Sequence, residues 1–242
     1  MGTVRSSLWR TVRVIGPGCG TLWWHREGGL SPWDTTTRRQ YIWDRAHIDW
    51  AKWIFENTDL KLQITGLENF DHNERFIITP NHASWIDIPA MVAAHPSVFC
   101  FGAKKELLRW PIVKQVLRYG GQVILDREDR KQAVEALSEG VHPALDTSVL
   151  IFPEGTRTKI GELGEFKSGA FYAAKKSGFK ILPVIITGSF QAFPSGARLW
   201  NVDTSPLIGV HYGYPISPDW KSPQDLREET RIAMRILLEQ HS

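Results

Sequence analysis

Cysteine is nearly absent, with only Cys19 and Cys100 in 242 residues. A disulfide framework is therefore not expected, and both thiols read as reduced side chains of a cytosol-facing protein. Long apolar runs are also missing. A conventional membrane span needs about 18 or more uninterrupted apolar residues, and the closest stretch, Ile88 to Ala103, is broken by Pro89, His95 and Pro96. Neither sign of charge dominates, since 29 Lys and Arg stand against 26 Asp and Glu for a net +3. That balance suits an anionic substrate or surface but is too weak to indicate nucleic acid. No internal repeat or low-complexity tract occurs, and nothing has good metal-ligand spacing, so no metal is expected. Arg5, Arg10 and Arg13 flank short apolar pieces without an apolar core or a cleavage site, so no signal peptide is expected.

Tryptophan is abundant, at 11 residues, and Trp9, Trp23, Trp24, Trp33, Trp43, Trp50 and Trp53 crowd the first quarter of the chain. Its apolar body and polar N–H favour boundaries between greasy and wet surroundings. Over 40–57, Ile42, Trp43, Ala46, Trp50, Trp53 and Ile54 recur at helical spacing opposite Asp44, Arg45, Asp49 and Lys52. Residues 1–57 are thus read as a helical module. Two roles stay open on the residues alone: packing on the rest of the protein, or lying in a lipid headgroup layer.

Residues 58–242 change rhythm. Apolar, β-rich runs at Leu60–Ile64, Phe76–Thr79, Val98–Phe101, Val123–Leu125, Val149–Phe152, Ile181–Ile186 and Leu207–Tyr212 alternate with helical patterns. The helices are expected over 87–94, 105–118, 128–140, 166–177 and 222–240, the last opened by Ser222, Pro223 and Asp225. The expected fold class is α/β, with a mostly parallel central sheet flanked by helices.

Three strand ends carry chemistry. After Phe76–Thr79 comes Asn81-His82-Ala83-Ser84-Trp85-Ile86-Asp87. Imidazole is the side chain best suited to take a proton near neutral pH, and a carboxylate can fix its tautomer. Inside one helix, residues five apart point about 140° away from each other. Asp87 is therefore expected as a helix N-cap with His82 folding back from the preceding turn; an incidental loop histidine is the competing reading. The run Val123-Ile124-Leu125 ends in Asp126-Arg127, where Arg127 suits a phosphate or a surface ion pair. The run Val149–Phe152 ends in Pro153-Glu154-Gly155-Thr156-Arg157, either a polar loop or a ligand-binding turn.

Together these segments resemble the glycerolipid acyltransferase superfamily, and within it the lysophosphatidate acyltransferases. His82 and Asp87 match the first motif, Arg127 the end of the second, Phe152–Arg157 the third and Leu182-Pro183-Val184 the fourth. Lys104-Lys105-Glu106-Leu107 resembles the segment between the first two. The resemblance spans roughly residues 58 to 215 and implies transfer of an acyl chain from an acyl thioester to the sn-2 hydroxyl of 1-acylglycerol 3-phosphate. It makes His82 the general base and Asp87 its orienting partner, with no covalent acyl-enzyme. Lys105, Arg127 and Arg157 are assigned to the acceptor phosphate, and Glu154, Gly155 and Thr156 to the acceptor pocket. No cofactor is implied beyond the thioester of coenzyme A or acyl carrier protein as co-substrate. Partners are lysophosphatidate, the acyl thioester and a membrane surface. The Trp-rich module then becomes an amphipathic anchor, monotopic on the cytosolic face. Other acceptors (glycerol 3-phosphate, another lysophospholipid, a lyso-aminolipid) or a non-catalytic lipid-binding role are the alternatives.

Overall fold

The structure is a computed structural model that describes residues 48–105, 109, 123–125, 147–195, 197 and 207–241. In chain order the elements are a helix over 48–57 (α1), β1 Lys61–Thr65, β2 Phe76–Pro80, α2 Asp87–Ala94, β3 Phe99–Lys104, β4 Val123–Leu125 and β5 Ser148–Leu150. They continue with α3 Gly169–Ser177, β6 Lys180–Thr187, the short α4 Ser189–Ala192, β7 Leu207–Tyr212 and α5 Pro223–His241. Expected helices over 105–118 and 128–140 fall almost wholly outside the described residues. So does most of the Trp-rich module.

The strands form one seven-stranded sheet in the order β1-β7-β6-β2-β5-β3-β4. Every pair is parallel except β6 with β7. The fold class is therefore the expected one, and β1 and β7 run opposite to the other five strands. Strand β2 is buried along its whole length, as a strand covered on both faces must be. Its alternating side chains feed two cores. Ile78, with Leu182, Val184 and Ile186 of β6, packs beneath α1 and α2 through Ile54 and Met91. Ile77, with Ile181 and Ile185, packs beneath α3 and α5 through Phe171, Leu226 and Met234. Burying each large side chain contributes roughly 1.5–3 kcal/mol before chain entropy is counted.

Pro183 interrupts β6 without breaking the sheet. Its carbonyl accepts the Gly213 N–H at 2.9 Å just where β7 has ended, so its missing N–H falls at the margin of the ladder. Helix α5 starts as its sequence foretells. The Ser222 hydroxyl accepts the Asp225 N–H at 3.1 Å, and the Asp225 carboxylate accepts the Ser222 N–H at 3.0 Å. Helix α3 starts three residues later than expected, because the Lys167 N–H is committed to the Pro153 carbonyl at 2.7 Å. In α1, Ala51 and Ile54 are fully buried while Trp50 and Trp53 pack against the same core. No described helix is long and apolar enough to cross a membrane.

Strands β6, β2, β5, β3 and β4 all finish at one edge of the sheet. Ligands of open α/β sheets bind outside the carboxyl ends of such strands. That edge gathers the turn after β2, the turn after β5 and Lys105 after β3.

Two histidines lie in the fold's interior. His95 packs against Phe70, Phe99 and Tyr212, and His211 meets Thr65 at 2.8 Å and Thr187 at 3.2 Å while stacking on His241. Burial, with His72 adding for His95 and His241 for His211, lowers each pKa from 6.5 to about 4. The unfolded chain then binds more protons between those values, so stability is full above pH 6.5 and falls as pH drops towards 4. Each histidine contributes up to about 1.4 kcal/mol per pH unit in that window. Thermal melts across it should show a steep fall in Tm that His211→Asn flattens; an unchanged slope in the variant would contradict this origin.

Candidate active site

The turn after β2 is built by side chains that replace the ladder. The Asn81 side chain donates to the Ile186 carbonyl at 3.0 Å and accepts the Ile186 N–H at 2.6 Å, extending the β2–β6 pairing by one rung. His82 follows, with its backbone held from both sides. Its N–H donates to Glu154 Oε1 at 2.8 Å, and its carbonyl accepts the Thr158 N–H at 2.8 Å.

Asp87 is fully buried. Its Oδ2 accepts the Ala83 N–H at 2.7 Å, the Ser84 N–H at 2.7 Å and His82 Nδ1 at 2.8 Å. An oxygen that collects three donors makes Nδ1 the protonated ring nitrogen and leaves the Nε2 lone pair available. The imidazole side chain is 16% exposed and stacks on Phe152 at 3.8 Å, so one ring face is covered while part of the ring remains open to solvent. The N-cap expectation needs correcting. Asp87 is the first helical residue, and Ile86, already helical, holds the cap position without a side-chain bond. The carboxylate turns back over the preceding turn because two amides and the imidazole converge there. Its place in the first turn of α2 also suits the positive end of the helix dipole.

The turn after β5 supplies the opposite wall. The Gly155 N–H closes it on the Phe152 carbonyl at 3.1 Å, with Gly155 at φ 74°, a left-handed conformation that favours glycine. Glu154 is 5% exposed and faces inward. Besides the His82 N–H it accepts the Gly164 N–H at 3.0 Å. Burial raises its pKa, and the two N–H donors oppose that shift. Glu154 therefore ties His82 to the loop over 155–164. Thr156 is exposed and Arg157 half-buried, its Cζ lying 4.7 Å from the centre of the Trp85 ring. Lys105 is exposed at the end of β3, and Arg127 lies outside the described residues.

No nucleophile accompanies the imidazole among the described neighbours. The Ser84 hydroxyl is buried, donates to the Phe193 carbonyl at 2.7 Å and accepts the Ile86 N–H at 3.1 Å. It is a brace of the turn. The arrangement suits a base that acts directly on a substrate hydroxyl. Sequence reasoning placed Asn81, Trp85 and Phe152 within the matched segments but gave none of them a role. Their positions beside His82 and Glu154 were visible, but a ring stacked on the imidazole leaves no spacing signature.

Asp87→Ala would strand two buried N–H groups, at about 1–3 kcal/mol each. Asp87→Asn keeps the shape but disturbs the tautomer and should lower kcat by about 10³-fold or more. Denaturation and steady-state kinetics on the pair should therefore separate, with Ala losing stability and activity and Asn losing mainly activity. Equal stability losses would show that the carboxylate's charge, rather than its acceptor geometry, holds the turn.

Residues 61–187, more than half of the chain, match the family model described as Acyltransferase. A relative from Helicobacter pylori, named 1-acyl-sn-glycerol-3-phosphate acyltransferase, is 39% identical over 174 residues, 70% of each chain. One from Neisseria meningitidis with the same name is 31% identical over 195 residues, 75% of each. The crystal structure of the 1-acyl-sn-glycerophosphate acyltransferase PlsC from Thermotoga maritima superposes with a TM-score of 0.75 at 26% identity, covering 99% of this chain and 96% of that one. The motif pair at the sheet edge, the sheet itself and these matches agree: the chain belongs to the acyltransferase family.

Proposed function

We propose that the protein transfers a fatty acyl chain from an acyl thioester to the sn-2 hydroxyl of 1-acylglycerol 3-phosphate, forming phosphatidate. The observation that carries this reading is the His82–Asp87 pair, with Nδ1 bonded to a buried carboxylate at 2.8 Å and no competing nucleophile beside it among the described residues. The names of the relatives support lysophosphatidate as the acceptor.

The geometry supports the following course of reaction. His82 Nε2 takes the proton of the acceptor hydroxyl as its oxygen attacks the thioester carbonyl. Asp87 stabilises the imidazolium that forms. Collapse of the tetrahedral intermediate breaks the C–S bond, and the thiolate leaves with the proton returned by His82. The enzyme forms no covalent bond, so its work is to place two substrates and hold a base. Arg157, with Arg127 and Lys105, binds the acceptor phosphate, since a dianion needs two or more cations or an equivalent donor set. Both acceptor and product carry long acyl chains, so the protein works at a membrane surface, with the Trp-rich 1–57 region as an interfacial anchor on the cytosolic side.

His82→Ala should lower turnover by about 10²–10⁴-fold with the fold and vesicle binding intact. Near-wild-type turnover would remove the base from the account. With a panel of lysolipids and acyl donors, mass spectrometry of products should show phosphatidate formed fastest. Equal acylation of lysophosphatidylcholine or glycerol 3-phosphate would point to a different acceptor.

A further inference from the structure

Trp85 sits inside the turn that joins His82 to Asp87, yet it is 53% exposed. Its chain neighbours are the opposite. Ser84 and Ile86 are buried, and their amides are bonded to Asp87 Oδ2 and to the Ser84 hydroxyl. The backbone under Trp85 is thus fixed while the indole stands out from the surface. Across from it, the Arg157 guanidinium lies over the indole at 4.7 Å. The two loops are locked together beneath this contact by the Thr158 N–H on the His82 carbonyl at 2.8 Å. Among the described residues no carboxylate lies within ion-pair distance of Arg157.

A guanidinium held over an aromatic ring by its charge gains no hydrogen-bond acceptor for its N–H groups from that contact. Those N–H groups form the fork that binds a phosphate through two parallel hydrogen bonds. An ion pair would occupy that fork, whereas a cation–π contact orders the cation by its charge and puts no acceptor on the fork. The contact thus holds a long, entropically costly side chain in place beside the base without using up its donors.

We infer that Trp85 is a positioning residue for acceptor recognition: its indole holds the Arg157 guanidinium so that the enzyme selects a phosphate-bearing acceptor. This rests on the reading of Arg157 as a phosphate ligand. Trp85 acts on the charged group of the acceptor, through Arg157, and leaves the base and the acyl donor untouched.

The test uses the full chain with a short-chain, water-soluble 1-acylglycerol 3-phosphate and the matching monoacylglycerol. It compares Trp85→Leu, Trp85→Phe, Arg157→Ala and the Trp85→Leu/Arg157→Ala double variant. Trp85→Leu should raise KM for the phosphorylated acceptor about five- to tenfold, the scale of a cation–π contact. Its kcat should stay within about twofold, and donor KM and monoacylglycerol turnover should not move. Trp85→Phe, which keeps a ring face, should recover most of the loss, and the double variant should be no worse than Arg157→Ala. The inference is overturned by an unchanged KM in Trp85→Leu, an equal loss for both acceptors, or additive losses in the double variant. An equal loss for both acceptors would make Trp85 a lipid contact. If Arg157→Ala itself leaves the acceptor KM unchanged, the phosphate assignment fails and takes this inference with it. A sensitive Arg157 with an insensitive Trp85 removes this inference alone.

Discussion

One carboxylate oxygen organises the site. Asp87 Oδ2 receives the imidazole and two successive backbone amides, so the same atom shapes the turn and sets the ring. A buried charge is tolerated only when it is richly hydrogen-bonded, and the turn over 82–86 supplies those donors. The dyad and the fold of its loop are therefore one structure. The carboxylate cannot be reoriented without releasing two buried amides along with the imidazole.

The turn after β5 reaches the dyad through the backbone. Glu154 holds the His82 N–H, and the Thr158 N–H holds the His82 carbonyl. Strands β2 and β5 are neighbours in the sheet, so these bonds need only short turns from adjacent strand ends. Phe152 completes the wall by covering one face of the ring. A carboxylate beside a phosphate-binding pocket would repel its ligand, but Glu154 is turned inward and acts on amides. Arg157 is half-buried and lies over the exposed Trp85, so the two charges of the turn divide into an inward carboxylate and a solvent-reachable guanidinium.

Much of this was legible in the sequence because it depends on local pattern. The strands at Phe76, Val123, Ile181 and Leu207 and the Ser222 cap follow from apolar runs and capping chemistry. The pairing of His82 with Asp87 was legible from spacing, since a pair five apart must meet through a turn. The cap assignment of Asp87 failed because its carboxylate answers to amides upstream, a choice made by the turn's geometry. The reversal of β7 against β6 and the late start of α3 depend on long-range bonds, among them Gly213 to Pro183 and Lys167 to Pro153. The stacking of His82 on Phe152 and the contact of Arg157 with the Trp85 ring likewise join residues about 70 apart in the chain. No pattern of neighbours along the sequence encodes such contacts.

The central claim is that Asp87 fixes the His82 tautomer with the proton on Nδ1 and the lone pair on Nε2. Nitrogen-15 NMR of histidine-labelled protein, with His82 assigned by comparison with His82→Gln, reads this directly. The account requires a protonated Nδ1 and an unprotonated Nε2 in the neutral ring, with that pattern lost in Asp87→Asn. A neutral His82 carrying its proton on Nε2 would contradict it, because the nitrogen facing the acceptor hydroxyl would then have nothing with which to accept a proton.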